Sequence, residues 1–558
     1  MADFRASNLL RVRELCRRLR PILGQRMDRL YMAYTLEDDD GKKQLETYLE
    51  ALSARHLPFA LDQGLGDLVP PSPKQATGPY QLGTVLYAGK PAGPFGLREY
   101  EWIQHVGIFG RSGAGKTNLG FEVFRQLVLA GKPVLVLDWK RNYRDLLARP
   151  EFEGVQVYTL GRDVVPFSFN PLIPPQGTDP RTWLKQINEV IAHAYCLGNG
   201  VLYLLMESID AVYQEFGVYD GKVAQWPTFR DVLVKAKERN ARGRESAWLS
   251  STLRALASLC FGEMDRTLNQ TRDQSDTIAN LLEQSTILEM DALGQSDKVF
   301  LTSAVLLYIH HHRMAEGERE HFKHAILIEE AHHVLSNERR SLIGGQSVME
   351  ITFREIREFG ESIVALDQHP SKISISALGN TYCTICLNLK HKLDVSAMAQ
   401  SMLLESEEKD ILGSLEVGQA VVKLQGRATR PFIIQVPEFS ITKGTITDDA
   451  VRLKMAAFLQ PEASNPALTG REAGTNSPSN ARQSLSPSAA EQAFIEDVAA
   501  YPDSGVAARY QRLGISVRQG QKLKAGLVLK GILEEEEEIT ATGRRRVVRL
   551  TEQFRERK

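Results

Sequence analysis

The 558-residue chain is poor in cysteine, nearly free of net charge, and without a long apolar run. Its five cysteines are an odd and sparse set, which excludes a disulfide framework and fits a reducing compartment. The formal charge of −1 excludes a whole-chain basic field that would draw the protein to nucleic acid or to an anionic membrane. Nucleic-acid contact must then come from a local cluster, or from several copies that concentrate a few charges. No stretch approaches the ~20 apolar residues of a membrane span, and the N-terminus has no secretory h-region. The expectation is a cytoplasmic chain with no membrane partner. Hydrophobic residues make up 43%, enough for sizeable cores, and the length suggests roughly three or four domains.

What is present is ordered along the chain. Residues 1–79 read as a helical N-terminal region, broken at Asp38-Asp39-Asp40-Gly41 and closed by Pro70-Pro71-Ser72-Pro73. Leu9, Val12, Cys16 and Leu19 form an apolar stripe at helical spacing, suited to packing on the domain. Short β-like pieces follow from Leu82 to Gln104, and Pro133–Asp138 is the continuous apolar run of a buried parallel strand. Residues 178–283 read as a helical insertion. Strand character returns at Thr286–Met290, Ala325–Ile328, Ser362–Leu366 and Ile385–Leu389. Strands alternating with helices predict an α/β fold with a mostly parallel, doubly wound sheet over residues 80–440. Residues 441–490 read as a short helix and a flexible linker rich in Pro, Ser, Asn and Ala. Residues 491–558 suggest three short helices and a hairpin around Thr542-Gly543, a winged-helix pattern.

The chemistry is concentrated in Gly110-Arg111-Ser112-Gly113-Ala114-Gly115-Lys116-Thr117-Asn118, which fits the phosphate-binding P-loop between a β-prone run and a helix. The glycines let backbone N–H groups curl around phosphate oxygens, and the helix N-terminus adds partial positive charge. Lys116 reaches the β- and γ-phosphates in such a loop, and the Thr117 hydroxyl holds Mg²⁺. The reading is a nucleoside triphosphate site, with ATP and Mg²⁺ as cofactors. Hydrolysis needs an acidic partner. Ala325–Ile328 followed by Glu329-Glu330 supplies it as in a Walker B strand, with Glu329 on the Mg²⁺ shell and Glu330 polarising the attacking water. Gln368, after the strand that ends in Asp367, could sense the γ-phosphate. Arg354 fits both a finger projected to a neighbouring subunit and a surface salt-bridge residue.

Cys383 and Cys386 form a CxxC within a run that reads as core strand, and His310-His311-His312 ends an apolar helix on which adjacent rings diverge. Neither points to a metal.

In series, "HVGIFGRSGAGKTN", Asp138-Trp139-Lys140, "FSFNPL", "ILIEEAHHVL" and "REIREFGESIVALDQHPSKI" resemble the HerA/FtsK superfamily of DNA-pumping ATPases, specifically its HerA-like branch, over about residues 83–440. The resemblance implies a RecA-like core, a homo-hexameric ring, and double-stranded DNA in a central channel. It implies the same roles for Lys116, Thr117, Glu329, Glu330 and Gln368, with Arg354 as a finger in trans and Asp138 near the subunit interface. It also suggests a nuclease or other effector as partner, in DNA processing or anti-phage defence. Members often carry Thr-Gln-Arg-Pro where this chain has Asp367-Gln368-His369-Pro370, and the β-barrel that opens archaeal members is replaced by helical residues. A DEAH-type helicase would need a second RecA-like lobe, and one P-loop core is found.

Duplex-gripping loops need Lys or Arg for phosphates. The candidates are Lys140 and Arg141 after the second core strand, and Arg339 and Arg340 after Walker B, against the alternative of ordinary solvated loops. In the terminal segment, Arg518, Lys522 and Lys524 could enter a groove, while the acidic run Glu534–Glu538 fits a protein-binding winged helix equally well. Two further functions fit the pattern: a coupling ATPase of conjugation or secretion type, and a non-motor ATP-dependent scaffold that switches a partner enzyme.

Overall fold

Short apolar runs set the architecture, and each is buried on both faces. The computed structural model describes residues 2–57, 68–271, 275–336 and 347–459 and, with gaps, 489–550. Contacts divide the chain into two units, 1–463 and 464–558.

The first unit is built on β1 (Tyr80–Tyr87), β2 (Lys90–Leu97), β3 (Val106–Phe109), β4 (Val134–Asp138), β5 (Gln156–Thr159), β6 (Thr286–Glu289), β7 (His324–Glu329), β8 (Glu361–Asp367), β9 (Cys383–Leu387), β10 (Gln419–Leu424) and β11 (Phe432–Gln435). Among the described residues they form one sheet in the order β2-β1-β11-β10-β9-β3-β8-β7-β4-β6-β5. From β9 to β5 every pairing is parallel; β10, β11, β1 and β2 extend that sheet antiparallel. The mostly parallel sheet is therefore as expected, with an antiparallel wing whose strands β10 and β11 the sequence pattern did not announce.

Alternation within the strands builds two cores. Leu135, Leu137, Ile326 and Ile328 face one, against the helical insertion and helix Gln295–Glu316. Val134, Val136, Ala325 and Leu327 face the other, against the P-loop helix Lys116–Leu129. Such two-sided burial is what continuous Val/Ile/Leu runs encode. Among the described residues six α-helices, from Pro180–Tyr195 to Ser275–Glu283, lie between β5 and β6 and form the insertion. Cys383 and Cys386 are both buried in β9, as core residues.

The N-terminal region folds as helices Ala2–Leu23, Arg26–Leu36 and Asp39–His56. The acidic turn is a helix start: the Asp38 carboxylate accepts the Gly41 N–H at 2.9 Å. Val12, Cys16 and Leu19 are buried with Met27, Tyr34, Leu49 and Tyr87 of β1, whereas Leu9 is exposed. No helix among the described residues is long and apolar enough to cross a membrane.

The short helix expected after residue 441 is present, and residues 441–459 are part of the first unit. They pack on the core: helix Asp448–Leu459 lies against β5, and Met455 is buried with Val157. The linker expected over about 461–490 falls almost wholly outside the described residues. In the second unit, helices Ala489–Ala500 and Val506–Arg512 and the hairpin β12 (Leu533–Thr540) and β13 (Gly543–Leu550) share a core of Phe494, Ile495, Val498, Tyr510, Leu533 and Val548. The register sets Glu534 opposite Arg549 and Glu537 opposite Arg546. Most of the expected third helix, with Arg518 and Lys522, lies outside the described residues.

Candidate active site

β3, β4, β7 and β8 are neighbours, so their carboxyl ends converge on one edge, where ligands sit in open α/β sheets. A cavity of about 460 Å³ opens there, lined by P-loop residues Ser112, Gly113 and Gly115 to Asn118 together with Lys140, Asn142, Glu329, Glu330 and Gln368. The P-loop turns into its helix at Gly115, whose φ of +111° suits glycine, and a Cβ there would meet Leu387 at 3.3 Å. One turn on, a Cβ on Gly120 would meet the Tyr143 hydroxyl at 2.6 Å, so glycine lets the helix lie close on the sheet.

Lys116 donates from Nζ to the Arg111 carbonyl at 2.9 Å, which folds it back over the loop. Burial pushes its pKa down to about 8, against the pull of Glu330, Asp367 and Glu329. Polyphosphate would reverse that. The Glu329 carboxylate ends β7, nearly fully buried; burial first, then the charge of Asp138, push its pKa up. Among the described residues its one side-chain hydrogen-bond partner is the Asn142 amide at 3.3 Å. A buried carboxylate with so little to stabilise its charge, facing the Thr117 hydroxyl's loop, is a donor set that suits a dication.

Glu330 turns off the strand in the left-handed region, φ +53° and ψ +46°, a conformation uncommon outside glycine. One oxygen, Oε1, takes the Gln368 amide at 2.7 Å and the Lys140 ammonium. Gln368 and Glu330, expected separately as sensor and base, are thus directly bonded. Asp367 knits their turns together, accepting from the His332 N–H at 2.6 Å, from His332 Nδ1 at 2.9 Å and from the His369 N–H at 2.7 Å. Despite burial, these bonds, His332 foremost, hold the Asp367 carboxyl below its usual range. The departure from Thr to Asp at this position therefore has a structural counterpart in His332.

Two expectations are revised. Lys140, expected to face DNA, lies in the nucleotide cavity on Glu330. The reason is the turn after β4, where Arg141 takes φ +59° and the chain doubles back. Asp138, expected near a subunit interface, is fully buried and caps that turn, accepting the Lys140 N–H at 3.1 Å and the Tyr143 N–H at 2.9 Å. Arg141 is exposed. Arg354 does not line the cavity of its own chain; it is half-exposed, 3.3 Å from Glu355. Arg339 and Arg340 lie outside the described residues.

Two contributors were missed. Asn142 is one. The other is Lys443, exposed on the cavity's rim. It is carried by a strap, residues 436–447, that crosses from β11 over the P-loop helix. Asn118 fastens one end, donating to the Pro437 carbonyl at 2.6 Å and accepting the Phe439 N–H at 2.7 Å. Asp145 fastens the other, accepting the Gly444 N–H at 2.8 Å and the Ile446 N–H at 3.0 Å. The only sequence signal was the Gly444 turn beside a lysine.

Residues 81–309 match the family described as "Helicase HerA, central domain". No curated protein matches the chain. Among solved structures, VirB4 of Thermoanaerobacter pseudethanolicus is similar at 15% identity, covering 64% of this chain and 96% of that one, with a TM-score of 0.50. The bacterial conjugative coupling protein TrwBdeltaN70 matches at 12% identity over 64% and 90% of the two chains, TM-score 0.48. The plasmid coupling protein TrwB in complex with ADP and Mg²⁺ matches at 12% identity over 65% and 91%, TM-score 0.47. With the P-loop and the paired acids in one cavity, the core of this chain has the build of a P-loop ATPase domain, and residues 81–309 are similar to the HerA central domain.

Proposed function

We propose that the protein is an ATP-hydrolysing ring motor that moves along double-stranded DNA and works with a nuclease or another effector, in DNA processing or anti-phage defence. The observation that carries this reading is the bonding of Glu330 to both Gln368 and Lys140 beside the P-loop of a HerA-type domain. Binding, base and sensor share one cavity there.

Lys116 and the loop amides hold the β- and γ-phosphates, and Lys443 adds a cation from the strap. Thr117 and Glu329 would hold Mg²⁺, whose charge would offset that of the transferred phosphoryl group. Glu330 accepts a proton from the attacking water through its Oε2, since Oε1 is taken by Gln368 and Lys140. Gln368, bonded to the base, carries the state of the γ-phosphate to the turn held by Asp367. A homo-hexameric ring gives Arg354 its task, as a finger toward the neighbour's nucleotide. A ring also concentrates basic groups that a chain of charge −1 cannot.

The test is the steady-state ATPase rate with and without long linear duplex DNA, beside Glu330→Gln. Duplex stimulation that vanishes in the variant is the expected result. A rate indifferent to DNA would overturn the motor and leave an ATP-switched scaffold.

A further inference from the structure

A second cavity, of about 890 Å³, opens beside the P-loop and shares none of the first cavity's lining. Four cations line it, Arg111, Lys390, Lys392 and Lys409, against one carboxylate, Asp410. The three lysines are exposed, and among the described residues none of them is ion-paired. Lys392 opens helix Lys392–Met402, whose positive end adds to the field. The acidic residue of that first turn, Asp394, is buried and accepts from the Ser371 N–H at 3.1 Å and from its hydroxyl at 2.6 Å. The groove therefore gathers positive charge with little of its own to offset it, in a chain that is neutral overall.

Its polar groups are unsuited to reading base edges. The Asn388 amide is spent: its oxygen accepts Arg111 Nε at 2.7 Å, and its nitrogen donates to the carbonyls of Gly413 at 3.0 Å and Leu415 at 2.8 Å. Lysines are flexible point charges, the groups that contact backbone phosphates without sequence preference.

We propose that this groove binds the phosphate backbone of nucleic acid and that Arg111 links it to the nucleotide site; the proposal rests on the motor reading above. Arg111 belongs to both places. Its guanidinium lines the groove, while its carbonyl accepts Lys116 Nζ at 2.9 Å and its N–H donates to the Asn388 carbonyl at 2.8 Å. A phosphate drawn to the guanidinium competes with Asn388 for it, and the backbone that positions Lys116 shifts with the same residue. DNA contact thereby reaches the catalytic loop within one chain.

The experiment uses the full chain and a fluorescein-labelled duplex, with affinity measured by anisotropy across a salt series. Lys390→Gln/Lys392→Gln/Lys409→Gln should make the slope of log affinity against log salt shallower by about 0.9 for each phosphate no longer neutralised, so about 2.7 in all, on unrelated sequences alike. The corresponding triple Lys→Arg variant should keep the wild-type slope, and a fluorescent ATP analogue should bind all three proteins equally. A glutamine variant with the wild-type slope overturns the groove while the motor stands. A glutamine variant that loses polyglutamate binding yet keeps the duplex slope also overturns it, in favour of an acidic protein partner. Wild-type protein that binds no duplex overturns the motor reading itself.

Discussion

Lys443 gives the sharpest prediction because nothing in the P-loop pattern requires it. It stands on the rim of the nucleotide cavity at the middle of a strap pinned by Asn118 and Asp145. Two unit charges ~4 Å apart in water interact by ~1 kcal/mol, and a terminal phosphate carries up to two negative charges. Lys443 is exposed, so screening keeps the effect at the low end, ~1–2 kcal/mol or about 5- to 30-fold in affinity. Lys443→Ala should therefore weaken binding of a fluorescent ATP analogue and raise KM by that factor, with kcat little changed. Asp145→Ala should do much the same, because it frees the Gly444 and Ile446 N–H groups that hold the strap. The double variant should be no worse than either single one, since both remove the same interaction. Unchanged affinity in Lys443→Ala would refute the role, and additive effects would show that the strap does not present the lysine.

The remaining predictions reach into the site and the core. Glu330→Gln should retain nucleotide binding and lose turnover by about 10²- to 10⁴-fold, as for a missing general base, measured by phosphate release beside analogue binding. His105 should make stability fall as the medium is acidified. Its Nε2 sits 2.6 Å from the Phe353 carbonyl and its Nδ1 accepts the Ile363 N–H at 3.0 Å, so the ring is held neutral. Burial, with the Arg357 charge adding, lowers its pKa from 6.5 to about 4. The unfolded chain then binds the extra proton first, so this contribution is complete above about pH 6.5 and is lost toward pH 4, by on the order of 3 kcal/mol; urea midpoints across that range should fall less steeply by that amount in His105→Gln, the buried His310 and His311 supplying the rest. Arg313→Ala should cost ~3 kcal/mol in the same assay, because it takes from the fully buried Glu361 carboxylate the guanidinium that meets it at 2.6 Å and leaves it the His324 ring.

The sequence spoke clearly wherever a local pattern decides the structure. A glycine loop between an apolar run and a helix can fold in few ways, and continuous Val/Ile/Leu runs demand burial on both faces; β3, β4, β7 and β8 followed from that. Their alignment, which brings Glu330 onto Gln368, depends on strand order, and periodicity does not encode order. Lys140 escaped for a similar reason. Its position two residues past β4 suggested an outward loop, but the left-handed turn at Arg141, capped by Asp138, sends the side chain back to Glu330. The strap was harder still. Asn118 and Phe439 meet across 321 positions, and residues 436–447 carry no periodicity that would mark them as part of the site. Charge was misleading in the same way: totals near zero hid a groove where Arg111, the Lys390/Lys392 pair and Lys409 come together from three segments.

A protein that moves along duplex DNA should displace the third strand of a triplex in its path. Release of the labelled strand should require ATP and Mg²⁺, scale with time, and be absent with Glu330→Gln. ATP turnover on the same DNA without release of the third strand would contradict movement along the duplex.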